Sequence, residues 1–236
     1  MPLNEKKLLI IIPCFNEEAS IAKLLTELLN LKLPYNLTIA VVNDCSTDNT
    51  LSVVRSFNVV VLNLPVNLGI GGAVQTGFKY AHRNNYDLAV QMDGDGQHPP
   101  TELPKLLVHH EKTQANVTIG SRFILKEGFQ SSFLRRSGIA YFHRLNQLFT
   151  GKRILDITSG FRLLDKKAIG IAAENYPDEY PEPESLVAFA KARLRIQEIA
   201  VIMKERQGGQ SSIRSFSSIY YMIKVSIAMF FAYIRK

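Results

Sequence analysis

The chain has 236 residues, of which 46% are hydrophobic and 21% charged, and its formal charge is +7. That length and balance suit one large globular domain, or a domain with an appendage, and exclude a disordered chain. The positive excess favours an anionic partner such as a phosphorylated substrate or acidic lipid, and no aromatic-interleaved basic motif or finger-type metal spacing points to nucleic acid.

The apolar run at residues 8–12 is one strand long and is ended by Pro13, which marks a buried strand and argues against a signal sequence. Ile21, Leu24, Leu25, Leu28 and Leu29 follow at helical spacing, with Glu17 and Glu18 just ahead, where the helix dipole favours acids. Strands at 38–42 and 59–62, a helix at 72–82, a strand at 88–92, a helix at 101–111 and a strand at 117–119 continue the alternation. This is the signature of βαβ units around a mainly parallel sheet. Beyond residue 122 the pattern loosens into a basic stretch with Arg122, Lys126, Arg135, Arg136, Arg144, Lys152 and Arg153, carrying a helix at 133–149. A Pro-rich acidic turn at 176–184, a helix at 185–193 and a strand at 196–203 follow. Residues 218–236 are apolar and aromatic, broken by Lys224 and closed by Arg235 and Lys236. The run is shorter than the roughly 20 apolar residues that span a bilayer. It reads as a helix that packs on the core, lies in a membrane interface, or docks on a membrane subunit or a second copy. Cys14 and Cys45 lack metal-ligand spacing and read as reduced thiols of a cytoplasmic protein.

The sharpest chemical signal is Asp93-Gly94-Asp95-Gly96-Gln97, directly after a buried strand. Two carboxylates one residue apart in a glycine turn can face one hard cation, and Mg²⁺ or Mn²⁺ accepts such a pair while keeping positions for phosphate oxygens. Two more strand-following loops carry Glu17 and then Asp44 and Asp48; on one sheet edge they would line a nucleotide pocket. A glycine loop, Asn67-Leu68-Gly69-Ile70-Gly71-Gly72, opens a helix whose N-terminus suits an anion, although no Walker-type lysine follows.

The ordered set "IIPCFNEE", "VVNDCSTDNT", "NLGIGGAVQTG", "QMDGDGQHPP" and "TSGFRLL" resembles family 2 glycosyltransferases of the GT-A fold. Within them it is most similar to the dolichyl- and undecaprenyl-phosphate sugar transferases of the dolichol-phosphate mannose synthase type, over residues 7–212. The resemblance implies an α/β fold with a mainly parallel central sheet flanked by helices, as a catalytic domain at 1–212, to which the apolar composition adds a C-terminal helix within 213–236. It implies nucleoside contacts from Pro13, Phe15, Glu17 and Asp44, and a metal and donor diphosphate held by Asp93, Asp95 and Gln97. Arg122, Arg136, Ser137 and Arg206 match positions that bind the acceptor phosphate and donor diphosphate, and Ser159, Gly160 and Arg162 match the loop framing the acceptor. Asn43 departs from the pattern, standing where many members have an Asp, and the long transmembrane helices of some members are missing.

The implied reaction is inverting transfer from a UDP-sugar, in preference to a GDP-sugar, to undecaprenyl phosphate at the inner face of the cell membrane. A phosphate monoester is largely dianionic at neutral pH, so this nucleophile needs charge positioning more than a base. A glycan or protein hydroxyl acceptor would need a carboxylate base, for which Asp156, Glu182 and Glu184 are the candidates. A nucleotide-sugar-binding subunit of a membrane complex is the alternative outside catalysis.

Overall fold

The computed structural model describes residues 6–125, 133–204 and 218–234. Seven strands form one sheet: β1 (Lys7–Cys14), β2 (Asn36–Asn43), β3 (Val60–Asn63), β4 (Leu88–Gln91), β5 (Val117–Ser121), β6 (Arg162–Asp165) and β7 (Ile196–Ala200). Their order across the sheet is β3-β2-β1-β4-β6-β5-β7. Neighbouring strands are parallel except at β6, which runs against both β4 and β5.

Leu8 to Ile12 are all 0% exposed, an unbroken apolar run instead of an alternating one, because β1 is central and covered on both faces. Leu8, Ile10 and Ile12 pack with α1 (Ile21–Leu29), α2 (Thr50–Arg55) and α4 (Leu103–Thr113). Leu9 and Ile11 face the opposite core, built with α3 (Gly69–Arg83), α5 (Phe133–Thr150), α6 (Lys166–Glu174), α7 (Pro181–Lys191) and α8 (Ser218–Ile234). Each of these buried aliphatic side chains contributes roughly 1.5–3 kcal/mol of burial. A β-carbon at Gly77 would collide with Ile11, so its absence lets α3 lie directly on β1.

Three elements go beyond the sequence pattern. β6 has four residues, too few to show a period, and α6 starts on Asp165, whose carboxylate accepts the Ala168 N–H at 2.8 Å. The six-residue α2 is equally short. The acidic Pro-rich turn is already helical from Pro181, whose fixed φ suits the first helical position. Glu17 and Glu18 lie ahead of α1 and not in its first turn, so the dipole is not what holds them.

In α8, Val225 and Met229 are buried against the domain, while Ile223, Ile227, Phe230, Phe231 and Ile234 point outward at about half exposure. Among the described residues no helix is long and apolar enough to cross a membrane.

With β6 reversed, β1, β2, β4, β5 and β7 all end at one sheet edge and β6 begins there. The loops carrying Glu17, Asp44, Asp93, Arg122 and Gly160 therefore share that edge, the place where open α/β sheets bind ligands.

Candidate active site

β4 ends on Gln91, fully buried, and the chain turns outward through Asp93 to Gln97. Gly96 makes the turn at φ 76°, and the Gln97 N–H donates to Asp95 Oδ1 at 3.0 Å. Gly94 lets the turn lie against the loop after β1: a β-carbon there would stand 2.8 Å from Cys14 Sγ. The Ser20 hydroxyl, 2.8 Å from the Gly94 carbonyl and 3.0 Å from Glu17 Oε2, ties the two loops together.

Asp93 is held on two sides. Its N–H donates to His98 Nδ1 at 3.1 Å, so the neutral ring carries its proton on Nε2, 3.8 Å from Asp93 Oδ2. Burial pushes the His98 pKa down to about 4, which keeps the ring neutral. The ring stacks on Phe161 at 5.1 Å and 17°. On the other side Gly160 presses on the carboxylate, with a β-carbon there only 2.8 Å from Asp93 Oδ1. His98 was not among the expected site residues; its only sequence signal is its place five residues after Asp93.

The loops after β1 and β2 are stitched by their own polar groups. Asn16, at φ 57°, donates its N–H to Ser46 Oγ and accepts from the Thr47 N–H at 2.8 Å. Glu17 donates its N–H to Thr50 Oγ1 at 2.8 Å and its side chain is nearly buried, while Phe15 is 48% exposed and Pro13 buried. Asp48 accepts from the N–H groups of Thr50 and Glu18 at 2.9 and 3.2 Å. Burial raises its pKa, but those hydrogen bonds outweigh burial and hold it below the usual range. Asp48 thus serves as a turn cap, in contrast to the expected nucleotide contact.

Asp44 Oδ1 accepts the Leu68 N–H at 2.7 Å, and Asn67 Oδ1 accepts that of Gly69 at 3.0 Å. The Gly71 N–H goes to the Asp178 carbonyl at 3.2 Å, and a β-carbon at Gly71 would collide with the backbone of Pro177 and Asp178. This corrects the anion-cradle reading of the loop at Gly69. The N–H groups of Leu68, Gly69 and Gly71 are taken up internally; Gly71 and Gly72 serve close packing, while Gly69, at φ 76° with open space around it, serves the turn.

The edge is electronegative despite the net positive chain. Burial, and then the charges of Glu17, Asp48, Asp93 and Asp95, push the Cys14 thiol well up. Among the described residues no three His, Cys, Asp or Glu side chains gather as a cation site. Asp93 and Asp95, beside a neutral His98, fit an ion that takes two hard oxygens and leaves its other positions to water and substrate, as Mg²⁺ and Mn²⁺ do.

Arg122, at the end of β5, forms a bidentate pair with Asp156, Nε to Oδ2 at 2.8 Å and Nη2 to Oδ1 at 2.7 Å. Asp156 is 0% exposed and Arg122 retains 22%. One edge of the guanidinium is thus engaged, and Asp156 is not available as a base. Glu198 in turn accepts the N–H groups of Leu155 and Asp156, fixing this loop from β7.

Ser159 and Arg162 correct another expectation. Arg162 is 1% exposed and donates to the carbonyls of Ser159, Glu182 and Ile157 and to Ser185 Oγ, at 2.7–2.9 Å. Ser159 Oγ donates to the Gly120 carbonyl at 2.7 Å. Both build the loop and neither faces an acceptor. Arg136 and Ser137 fall in the first turns of α5, where only the backbone is described, and Arg206 lies outside the described residues.

A buried polar network backs Asp93. The Tyr176 hydroxyl donates to Gln91 Oε1 at 3.1 Å, and Gln91 Nε2 faces Glu182 Oε1 at 3.5 Å. Gln91 opens the QMDGDGQHPP set, but Tyr176 carries no motif signal, because only the packing of the segment between α6 and α7 on the end of β4 brings the two together. Two open clefts of about 440 Å³ each lie elsewhere, one at Lys152 and Arg153 and one between Glu184 and Lys224. In the second, burial and then Glu179 and Asp178 push Glu184 up to about 7.

A family model described as glycosyl transferase family 2 matches residues 9–170. The chain belongs to that family. This family 2 glycosyltransferase is 27% identical to the UDP-N-acetylglucosamine–dolichyl-phosphate N-acetylglucosaminyltransferase of Methanococcus voltae over 222 residues, covering 84% of this chain and 86% of the relative. It is 29% identical to the undecaprenyl-phosphate mannosyltransferase of Micrococcus luteus over 221 residues, covering 88% and 87%. Glucosyl-3-phosphoglycerate synthase of Mycobacterium tuberculosis, solved with Mn²⁺, UDP-glucose and phosphoglyceric acid, superimposes with a TM-score of 0.72 at 17% identity, covering 96% of this chain and 79% of that one. At that identity the likeness is one of fold, and the fold is GT-A.

Proposed function

We propose that this family 2 glycosyltransferase moves a sugar, with inversion, from a nucleotide-diphosphate donor to the phosphate of a polyprenyl lipid at a membrane surface. The observation that carries the reading is the Asp93–Asp95 turn, wedged between His98 and Gly160 on the sheet edge that also bears Arg122. The names of the two relatives, which act on dolichyl and undecaprenyl phosphate, support the acceptor. The Mn²⁺ and UDP-glucose of the structural neighbour support a divalent ion and favour UDP over GDP.

Asp93 and Asp95, with Gln97 beside them, would hold Mg²⁺ or Mn²⁺, which when bound neutralises the departing diphosphate. Pro13, Phe15, Glu17 and Asp44 border the space for the nucleoside. Asp156 fixes Arg122 so that its unpaired edge meets phosphate, with Arg136, Ser137 and Arg206 as further acceptor ligands. The acceptor phosphate is already anionic, so the chain's task is to orient it and offset repulsion.

The C-terminal segment 213–236 would serve the catalytic domain 1–212 as a docking element. The outward face of α8 and the 74% exposed Leu148 of α5 would enter the bilayer interface, and the chain's net charge of +7 favours anionic lipid. The proposed location is the inner face of the cell membrane.

The test is turnover with Mg²⁺ or Mn²⁺ across UDP- and GDP-sugars, with and without undecaprenyl phosphate. A lipid-linked sugar that disappears with EDTA is the expected result. Donor binding without lipid glycosylation would sink the acceptor assignment and direct the search to hydroxyl acceptors or a membrane subunit.

A further inference from the structure

β7 ends at Ala200, and the Val201 N–H makes one more bond along the sheet, to the Ser121 carbonyl at 3.1 Å, just before Arg122. Residues 202–204 belong to no strand, and their N–H groups turn to the loop after β4 instead. The Ile202 N–H donates to Glu102 Oε2 at 3.2 Å and the Lys204 N–H to the Gln97 carbonyl at 3.0 Å. Val201 and Met203 are buried in the core while Ile202 stays exposed, the alternation of an extended segment. Four residues therefore join the end of β5 to the turn that carries Asp93 and Asp95. Gln97 is gripped on both sides, since its own N–H donates to Asp95 Oδ1 at 3.0 Å.

Glu102 fixes the middle of this splint. Its carboxylate is only 6% exposed, and it accepts from Lys105 Nζ at 2.8 and 2.7 Å as well as from the Ile202 N–H. Burying a carboxylate is costly unless its charge is paired, and Lys105 pairs it from the solvent side. An ionised oxygen holds a backbone N–H about twice as strongly as a neutral one. Packing alone would be served as well by an apolar side chain of similar volume. We propose that Glu102 is a positioning residue of this enzyme: through residues 202–204 it fixes Gln97, and with it the turn on which Asp93 and Asp95 present their oxygens to a divalent ion. The inference rests on the metal site proposed above.

The test measures Mn²⁺ affinity in the presence of UDP, by electron paramagnetic resonance of the free ion, at a temperature where thermal melts show each protein folded. Wild type is compared with Glu102→Ala, Glu102→Leu, Glu102→Gln and Lys105→Met. Glu102→Leu keeps the packing should the alanine variant fail to fold. Alanine and leucine should each raise the Mn²⁺ Kd about fivefold or more, somewhat less than the roughly 10- to 100-fold typical of groups bonded directly to a metal ligand. Glu102→Gln keeps an oxygen for the Ile202 N–H, and Lys105→Met removes only the cation, so both should stay within about twofold of wild type. The Mn²⁺ concentration for half-maximal sugar transfer should move in parallel. A lowered Tm with wild-type Mn²⁺ affinity in the alanine and leucine variants would mark a merely structural carboxylate and overturn the inference. Equal weakening in Lys105→Met would overturn it too, by assigning the effect to charge and not to the bond with Ile202. Wild-type protein that binds no Mn²⁺ with UDP would overturn the underlying metal site as well.

Discussion

Gly160→Ala isolates the hold on Asp93. The glycine's φ lies outside the left-handed region, so alanine brings no backbone strain, and the whole effect must come from the new methyl group. That methyl would stand 2.8 Å from Asp93 Oδ1, 3.0 Å from Oδ2 and 3.2 Å from Cγ. Relief to an ordinary contact of about 3.4 Å requires the carboxylate to retreat by about 0.6 Å, and His98 Nε2 at 3.8 Å limits where it can go. Because a carboxylate tip gives way more readily than backbone, the stability cost should sit near the low end for overpacking, about 1 kcal/mol. In a chain of this size that lowers Tm by about 2–4 °C. A ligand displaced by a sizeable fraction of an ångström should cost activity about 10- to 100-fold, most severely at limiting Mn²⁺. The assay is a Mn²⁺ titration of sugar transfer alongside thermal melts. Gly151→Ala is the control: Gly151 has φ 66° and open space around it, so alanine there costs about 1–2 kcal/mol of backbone strain without reaching Asp93. Equal activity losses in the two variants, or a Gly160→Ala enzyme with the wild-type Mn²⁺ requirement, would refute the reasoning.

Asp156→Ala should destabilise the protein by about 3 kcal/mol in urea titrations, at the low end for a broken buried pair because Arg122 keeps 22% exposure. An unchanged midpoint would show that the pair contributes nothing. His98 sets an acid limit: its folded pKa near 4 lies below the ordinary 6.5, so between those values the unfolded chain binds a proton that the native one excludes. Stability from His98 is therefore fully present above pH 6.5 and falls as pH drops towards 4, by roughly 3 kcal/mol. The measurement is the difference in urea stability between wild type and His98→Gln from pH 7 to 4.5, and parallel curves would contradict it. On α8, Phe231→Glu should weaken binding to anionic vesicles with Tm nearly unchanged, since Phe231 is 59% exposed. Met229→Ala, at 0% exposure, should instead cost about 2–5 kcal/mol of stability, and a reversed pattern in paired vesicle and melting assays would place the wrong face inward.

What the sequence made legible follows from how the sheet is covered. β1 to β4 are parallel, and α1, α3 and α4 beside them are long enough to show a 3.6-residue period, so element type, strand direction and the shared edge could be read in advance. β6 and α6 could not: four residues of strand running straight into a helix leave no period to detect, and the reversal of β6 depends on pairing with β4. The same division runs through the site. Asp93 and Asp95 stood out because a two-residue spacing in a glycine turn is local information. Arg162 looks the same in sequence as an exposed phosphate-binding arginine, yet its donors are engaged by residues up to 23 positions away. The Gly69–Gly72 loop and Asp48 are ambiguous in the same way, since glycine and aspartate suit both a ligand loop and a tight turn, and only the distant Asp178 carbonyl at Gly71 and the Glu18 N–H at Asp48 show their internal use. Glu182 reverses the case. In sequence it is one acid in a Pro-rich run, and what singles it out is that the start of α7 comes within reach of Gln91, whose amide, oriented by Tyr176, turns towards it. Residues that define the chemistry locally can thus be read from their neighbours in sequence. Those that position it are found only where distant elements meet, as Gln91, Tyr176 and Glu182 do behind the Asp93–Asp95 turn.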